Sequence, residues 1–485
     1  MKMENDTWSR CRKRFVVAIL HCAFFLPPQG PVARADGGEG ISFNAGIHSR
    51  IRETYVGNAP GLPNGGDAVP VSKVRKATTQ GFRVDSYPWV RADWKEYAAV
   101  LGLGHSFIEY LEGVDLPHHE RSYRLPDILY LNNLYLDGKG TMDGFMDFRV
   151  GRQNLTESRR SVLGLDRLFL DGTPGDSSVS TYADMARFTF HFDEKEALDL
   201  FGLYSNARNA MSLGLRQARH RSLNRLTARD SWDMDQWGAG AIWSETIGGF
   251  FPFKAYAIYK EDRKYRRSGT PQPGKRIATL GVNAKPKITE TISLDLEGAQ
   301  QMGRRTNGRV AGGTMAYLDV VYRDDSRWAF ASPYGHAGVW YMSGDRHRLG
   351  VDDSDTAWDP MWRRVSVPSE IFANGAHPGL RYWTNMTWIN ALAGLDFGPM
   401  HRVEAYSGPI FAPARDQLGG GNSSFKGVLS RINYFFPIRL APRGAQGLDR
   451  WEVFGSACFE LFNPGDYYAS SKPAIYIRWL LNFRF

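Results

Sequence analysis

The last twelve residues alternate between apolar and mixed positions. Apolar side chains fill every second position, at Ile475, Ile477, Trp479, Leu481, Phe483 and Phe485. The positions between them carry Tyr476, Arg478, Leu480, Asn482 and Arg484. Because successive side chains of a β-strand point to opposite faces, this segment predicts a strand with one wholly apolar face. Such a strand suits either the lipid-facing wall of a membrane barrel or the terminal strand of a β-sandwich.

The same alternation recurs along the chain. Apolar stripes occupy alternate positions within 84–94, 146–150, 186–192, 253–259, 278–284, 292–296 and 451–461. Charged residues fill many of the opposing positions, as Asp147 and Arg149 do between Met146, Phe148 and Val150. Charges in the middle of strands are costly in a soluble core and natural in a hydrated lumen. The pattern therefore favours a membrane barrel over a sandwich.

Short breaks between these strands alternate with longer polar segments. The short breaks are 95–96, 193–195, 247–249 and 398–399, and the long segments are 58–80, 206–233, 343–382 and 463–473. One further candidate strand, 164–172, alternates poorly and is assigned to a loop that could fold inward. With both termini on the periplasmic side, the strand number must be even. The sequence therefore predicts an all-β fold, a transmembrane antiparallel β-barrel of about 18 strands, closed by pairing of the last strand with the first, near 41–55.

The amino-terminal 35 residues have the order of a secretory signal peptide. Basic residues at 10–14 precede an apolar run at 15–26, and Ala33-Arg34-Ala35 offers a small-x-small cleavage site. The apolar run is shorter than the roughly 20 residues that a membrane-spanning helix needs. We expect cleavage after Ala35, which leaves residues 36–485 as a barrel with long extracellular loops in the Gram-negative outer membrane.

Charge and cysteine content narrow the function further. Without residues 1–35 the chain holds 54 basic and 49 acidic residues, a mild excess that does not indicate a nucleic-acid partner. Cys458 is then the only cysteine, so no internal disulfide is expected. The sequence has no phosphate-binding loop, no zinc-binding Cys/His set and no hydrolase motif. We therefore predict no enzymatic activity, no cofactor and no metal.

Arginines recur on the mixed faces of the predicted strands. The candidates for a solute-binding pore lining are Arg83, Arg91, Arg149, Arg152, Arg187, Arg431 and Arg478. Guanidinium groups stay charged and bind carboxylates in a two-pronged geometry, so such a lining would draw anions into the lumen. The alternative is that these arginines stiffen the wall through ion pairs with Asp85, Asp93, Asp147, Asp295, Glu297 and Glu404.

Five local motifs resemble the alginate-export family of outer-membrane porins. They are 148–153 (Phe-Arg-Val-Gly-Arg-Gln), 168–174 (Leu-Phe-Leu-Asp-Gly-Thr-Pro), 341–345 (Tyr-Met-Ser-Gly-Asp), 358–360 (Trp-Asp-Pro) and 462–467 (Phe-Asn-Pro-Gly-Asp-Tyr). Their order matches that family over residues ~145 to 485. The resemblance implies a monomeric barrel of 18 strands whose Arg-rich lumen passes an anionic polyuronate outward.

The leading hypothesis is an outer-membrane channel for passive, selective export of an anionic polysaccharide such as alginate. The alternative is a substrate-specific or general porin for uptake of small solutes, and a third reading is an adhesive surface barrel. The expected partners are the polysaccharide or solute, outer-membrane lipid, a periplasmic export scaffold, and the barrel-insertion machinery that reads a carboxy-terminal aromatic residue.

Overall fold

The fold is taken from a computed structural model of the 485-residue chain. It describes residues 40–60, 76–112, 128–153, 183–205, 236–263, 265–267, 270–272, 274–325, 330–345, 354–359, 361, 369, 371, 384–415, 423–442, 450–468 and 472–484. No helix among these residues is long and apolar enough to cross a bilayer. The predicted signal peptide and the segment 164–172 lie outside the described residues.

The described residues form strands almost throughout. The first nine are β1 (Ser42–Pro60), β2 (Lys76–Trp94), β3 (Tyr97–Glu112), β4 (Ile128–Thr141), β5 (Met146–Gln153), β6 (Ala183–His191), β7 (Glu196–Ser205), β8 (Gln236–Ile247) and β9 (Phe251–Asp262). A separate hairpin follows, made of β10 (Tyr265–Arg267) and β11 (Thr270–Gln272). The others are β12 (Lys275–Ala284), β13 (Ile292–Arg305), β14 (Val310–Arg323), β15 (Ser332–Met342), β16 (Ser354–Asp355), β17 (Met386–Gly398), β18 (His401–Phe411), β19 (Phe425–Arg439), β20 (Glu452–Pro464) and β21 (Ala474–Arg484).

Eighteen of the described strands close into one antiparallel barrel. Each pairs with its neighbours along the chain, apart from the β10–β11 hairpin and the two-residue β16, which lies parallel to β14. The ring closes between β1 and β21, from His48 opposite Arg484 to Gly57 opposite Ile475. Closure gives every wall strand two partners and leaves no edge exposed to lipid. The predicted strand number and the predicted pairing of the first and last strands are confirmed.

The outer face of the barrel is apolar and exposed. Large side chains that share this face include Leu280, Val282, Val320 and Ile432, which are 46–52% exposed. Near the short turns, aromatic rings lie in contact, with Phe145 5.7 Å from Phe190 and Phe192 5.6 Å from Trp243 between ring centroids. An exposed apolar belt with aromatic residues at its border is the surface of an outer-membrane barrel.

Short turns join the strands at one end of the barrel, as predicted for 95–96, 193–195, 247–249 and 398–399. The turn between β8 and β9 contains Gly248 and Gly249 at φ values of 61° and 79°, which glycine adopts without the strain that a Cβ would add. The long segment predicted at 58–80 begins later and ends earlier, because β1 continues to Pro60 and β2 starts at Lys76. Both strands run past the ends of their alternating apolar stripes.

Candidate pore lining and the segment inside the barrel

Three arginines surround one aspartate on the inner faces of β1 and β2. The Nε atoms of Arg50 and Arg83 lie 3.1 and 2.7 Å from the carboxylate of Asp85, and Nη2 of Arg52 lies 3.7 Å from it. All four side chains are nearly or fully buried. The sequence pattern predicts Arg83 and Asp85 on this face but not Arg50 and Arg52, although these two lie on the same face of β1 as His48. A buried network of this kind fixes the geometry of the wall, which is the stiffening role considered for Arg83.

Arg91 and Arg149 share the inner face with Asp137. Arg149 binds Asp137 through two hydrogen bonds of 2.9 and 2.8 Å, and its guanidinium lies 4.4 Å from the ring centre of Tyr135. Arg91 lies 2.6 Å from Asp93 and 3.9 Å from Asp137. The side chains of Arg91 and Arg149 remain 32% and 33% exposed. Their charged ends are therefore within reach of ions in the lumen.

Arg187 extends this row onto β6. Its Cα pairs with that of Arg149. Its guanidinium binds Asp199 through hydrogen bonds of 3.2 and 2.8 Å, and the Thr189 hydroxyl donates to the same carboxylate. The Arg187 side chain is 20% exposed. We call Arg91, Arg149 and Arg187 the arginine row.

Arg152 lies on the other face, contrary to the prediction. The register sets it opposite Leu134 and Asp184, and Leu134 is 50% exposed on the outer wall. Its Nε donates to Asp184 at 3.1 Å. Gly151 adopts a φ of 128° yet still pairs one-to-one with Tyr135, so the alternation continues through it. Arg152 therefore does not join the pore lining.

Arg431 and Arg478 lie on the inner faces of β19 and β21. Nη1 of Arg431 is 2.9 Å from Glu460, and the two side chains are 14% and 0% exposed. This pair is part of the wall. Arg478 lies opposite Cys458 on β20 and opposite Thr54 on β1, so it faces inward at the seam where the barrel closes.

Away from the arginine row, on β13 and β14, the inner wall carries buried carboxylates. Glu297 on β13 and Asp319 on β14 are 4% and 0% exposed. Neutral groups donate to these carboxylates and to Glu404, with Tyr256 2.7 Å from Glu297, Trp340 2.9 and 3.0 Å from Asp319, and Tyr334 3.0 Å from Glu404. Glu297 and Glu404 were expected to pair with arginines of adjacent strands, whereas tyrosine hydroxyls donate to both.

A segment between β15 and β17 enters the barrel and contacts the inner wall. The Asp359 carboxylate lies 2.9 Å from Nζ of Lys260 and 3.4 Å from Nζ of Lys275. The side-chain amide of Gln301 donates to the Asp359 carbonyl and accepts from its backbone N–H, both at 2.8 Å. The N–H of Met361 donates to the same carboxylate at 2.8 Å. The side chain and the backbone of Asp359 are therefore both bound to the inner wall, through Lys260, Lys275 and Gln301.

The same segment also contacts a distant part of the wall. The Ser369 hydroxyl and the Ile371 N–H donate to one oxygen of Glu460 at 2.8 and 3.1 Å. The other oxygen of Glu460 lies 2.9 Å from Arg431. Between β9, which carries Lys260, and β20, which carries Glu460, seven barrel strands lie on one side of the ring and nine on the other. The two contacts thus lie on nearly opposite sides of the lumen.

Apolar side chains cover the inner wall where this segment lies. Inward-facing side chains that are at most 2% exposed include Ile258, Ile277, Trp340 and Trp388. Trp358, Met361 and Ile371 of the segment belong to the same buried cluster. The long polar segment at 343–382 is predicted as an external loop, so this packing is not foreseen from the sequence. The inner faces of β9 and β12 mix Ile258 and Ile277 with Lys260 and Lys275, and their alternation does not distinguish a covered wall from a wet one.

Comparisons with known proteins agree on the barrel. No protein-family model and no curated protein matches the chain. Among solved structures, OccK7 (OpdD) of Pseudomonas aeruginosa has a TM-score of 0.50 at 12% identity, covering 93% of this chain and 99% of its own. OccAB1 of Acinetobacter baumannii has a TM-score of 0.50 at 10% identity, with coverages of 91% and 96%. OpdK of Pseudomonas aeruginosa, solved with vanillate, has a TM-score of 0.50 at 11% identity, with coverages of 91% and 98%.

The chain has the fold of an outer-membrane porin. The closed ring of strands and the exposed apolar belt carry this conclusion, and they place the chain in the Gram-negative outer membrane. The barrel implied by the motif resemblance is thus confirmed, while membership of the alginate-export family stays a prediction. Within the described part of the chain, no three His, Cys, Asp or Glu side chains converge as they would around a metal ion.

Proposed function

We propose that this chain is a passive outer-membrane channel that admits small solutes bearing a carboxylate. The arginine row carries the proposal. Arg91, Arg149 and Arg187 lie on strands of one side of the barrel, and each keeps a fifth to a third of its side chain exposed. A carboxylate moving along this side can exchange hydrogen bonds from one guanidinium to the next.

Charge elsewhere on the inner wall adds to this preference. Glu297 and Asp319 are buried carboxylates on β13 and β14, away from the arginine row, so an anion is favoured on the side of that row. A small solute would therefore pass with its carboxylate turned toward Arg149 and Arg187. The vanillate bound by OpdK is such a solute, which supports this chemistry for a barrel of similar fold.

Export of an anionic polysaccharide is the second candidate. The motifs resembling the alginate-export family favour it, and two of them contribute to the segment inside the barrel. Ser343 accepts hydrogen bonds at its carbonyl from the N–H groups of Trp358 and Asn385, both at 3.0 Å, where that segment leaves and rejoins the wall. Asp359 then fixes it to the inner wall at Lys260 on β9 and Lys275 on β12.

Planar-bilayer recordings with the purified barrel test both candidates. We expect a reversal potential that reports anion preference, and a current reduced by millimolar small aromatic carboxylates such as benzoate. Block by long polyuronate chains, with no effect of the small carboxylates, would favour export. Preference for cations, or equal passage of both ions, would contradict the role of the arginine row in either candidate.

A further inference from the structure

The outer wall has a groove that runs across the strands from β6 to β12. Its volume is about 480 Å³. Small residues form its floor, at Ala186, Gly202, Ala239, Ala257 and Ala278. Larger side chains line its sides, among them Leu200 and Leu280, which are 39% and 50% exposed on the lipid side. A concave apolar surface gives an acyl chain more contacts than the flat belt around it does.

One row of Cα partners borders this groove at the end of the barrel opposite the short turns. The row contains Tyr204, Trp237, Glu261, Arg276 and Arg304, on β7, β8, β9, β12 and β13. Arg276 is two positions along β12 from Ala278 of the groove floor, a distance of about 7 Å. The end opposite the short turns faces outward in an outer-membrane barrel, so the row lies at the outer border of the apolar belt.

Aromatic rings place this row at the surface of the bilayer. The ring centroids of Tyr204 and Trp237 are 4.6 Å apart, and the guanidinium of Arg263 lies 5.5 Å from the ring centre of Trp237. Tyrosine and tryptophan are enriched where the apolar core of a membrane meets the headgroups. The charged residues of the row are therefore at the depth of lipid phosphates.

Two arginines of the row lie directly opposite each other. Arg276 and Arg304 are Cα partners on β12 and β13, and both are exposed on the outer face. Arg276 is 3.0 Å from Glu261, and the partner of Arg304 on its other side is Val310. Like charges directly opposite each other destabilise a sheet. A phosphate between the two guanidinium groups would accept charge-assisted hydrogen bonds from both and remove the repulsion.

We propose that this face binds one phosphorylated lipid of the outer leaflet, with a phosphate on Arg276 and Arg304 and an acyl chain in the groove. The arginines lie directly above the groove floor, so a lipid whose headgroup meets them has its chain at the right depth to fill it. A second copy docked about a two-fold axis fits less well, because it would bring the arginine pairs of both copies together at the same depth. The site goes beyond the proposed function, since it does not involve the lumen.

Native mass spectrometry of the purified barrel in detergent measures which lipids stay bound. The probes are lipid A carrying two phosphates, the same lipid with its phosphates removed, and phosphatidylethanolamine. We expect one molecule of the phosphorylated lipid A per barrel. Because hydrogen bonds to charged groups contribute most of the difference, retention of the other two lipids should be roughly tenfold lower.

One variant removes the phosphate contact. Arg304→Glu places opposite charges on the facing positions of β12 and β13, so it should lower retention of phosphorylated lipid A roughly tenfold. In lipid-free detergent, the temperature at which the compact gel band of the folded barrel converts to the unfolded one should stay the same or rise. A merely structural defect would lower that temperature. The matched control is Arg323→Glu, at the other end of the barrel, which should keep the lipid bound.

A second variant fills the groove. A Cβ at Gly202 would meet no atom within 4 Å, so Gly202→Phe can occupy the space without strain and should lower retention of both forms of lipid A. The matched control is Gly298→Phe, because Gly298 lies outside the groove and has equal open space beside it. Only folded barrels, recognised by their heat-modifiable mobility on gels, enter these comparisons.

Three results would overturn the lipid site. Equal retention of lipid A with and without its phosphates would mean that the arginines do not bind the headgroup, and this comparison needs no variant. Unchanged retention in folded Arg304→Glu or Gly202→Phe barrels would place the lipid elsewhere. A dimer that Gly202→Phe abolishes would assign the face to a second copy. None of these results depends on ion preference, so the lipid site and the proposed channel function can fail separately.

Discussion

Neutralising two members of the arginine row should weaken the anion preference by an amount that can be calculated. The perturbation is Arg149→Gln combined with Arg187→Gln, which removes two charges and keeps side chains able to donate hydrogen bonds to Asp137 and Asp199. The two arginines are Cα partners on β5 and β6, so both act on the same region of the lumen.

The magnitude follows from Coulomb's law in lumen water. An ion passing about 7 Å from a guanidinium interacts with it by about 0.6 kcal/mol at the dielectric constant of water. A Debye length of about 10 Å in 0.1 M salt halves this energy. Removing two charges at ~0.3 kcal/mol each lowers the partition of an anion into the lumen about threefold and raises that of a cation about threefold. The anion-to-cation permeability ratio should therefore fall about eightfold.

Reversal potentials in planar bilayers measure this ratio. The same measurement in 1 M salt should show almost no difference between the variant and the unaltered barrel, because the Debye length falls to about 3 Å. The control is Arg276→Gln with Arg323→Gln, which removes the same charge from side chains that are 63% and 65% exposed outside the lumen. If the control variant changed the permeability ratio equally, or if the change did not depend on salt, the arginine row would not lie beside the ion path.

Three further predictions concern the barrel wall and Asp359. Trp479 donates to Glu53 at 2.8 Å across the closing seam, so Trp479→Phe should cost about 1 kcal/mol and lower the temperature at which the heat-modifiable band converts; an unchanged temperature would contradict this. A Cβ at Gly338 would overlap the Asp319 carboxylate and a strand carbonyl, so Gly338→Ala should cost about 1–3 kcal/mol in the same assay, whereas a neutral effect would mean that Asp319 can move. Burial alone would raise the pKa of Asp359, but Lys260 and Lys275 hold that pKa below its ordinary value. A depressed folded-state pKa gives stability that is lost only as the pH falls through that value, so the Asp359 contacts should not weaken between pH 7 and about pH 4. A fall over that range in the temperature at which the heat-modifiable band converts, if Asp359→Asn abolished it, would contradict this.

Much of the wall follows from the sequence. The pleat sends alternate side chains to opposite faces, so the positions of Val150, Phe188 and Ile477 on the lipid side and of Arg149 and Arg187 on the lumen side could be predicted. The number of strands and the closure by the last one follow from the same pattern, because lipid leaves no backbone group unpaired. These properties depend on neighbours along the chain or on a rule that holds for every strand.

The tertiary structure alone decided what occupies the lumen. Asp359 and Lys260 are 99 residues apart, and Ser369 and Glu460 are 91 residues apart, so no local pattern indicates that they meet. Arg152 shows the same limit on a smaller scale, since only the pairing of Gly151 with Tyr135 showed that the alternation runs unbroken from Arg149 to Arg152. Alternation fixes the two faces of each strand, whereas contacts across the barrel depend on which strands the closed ring sets opposite each other.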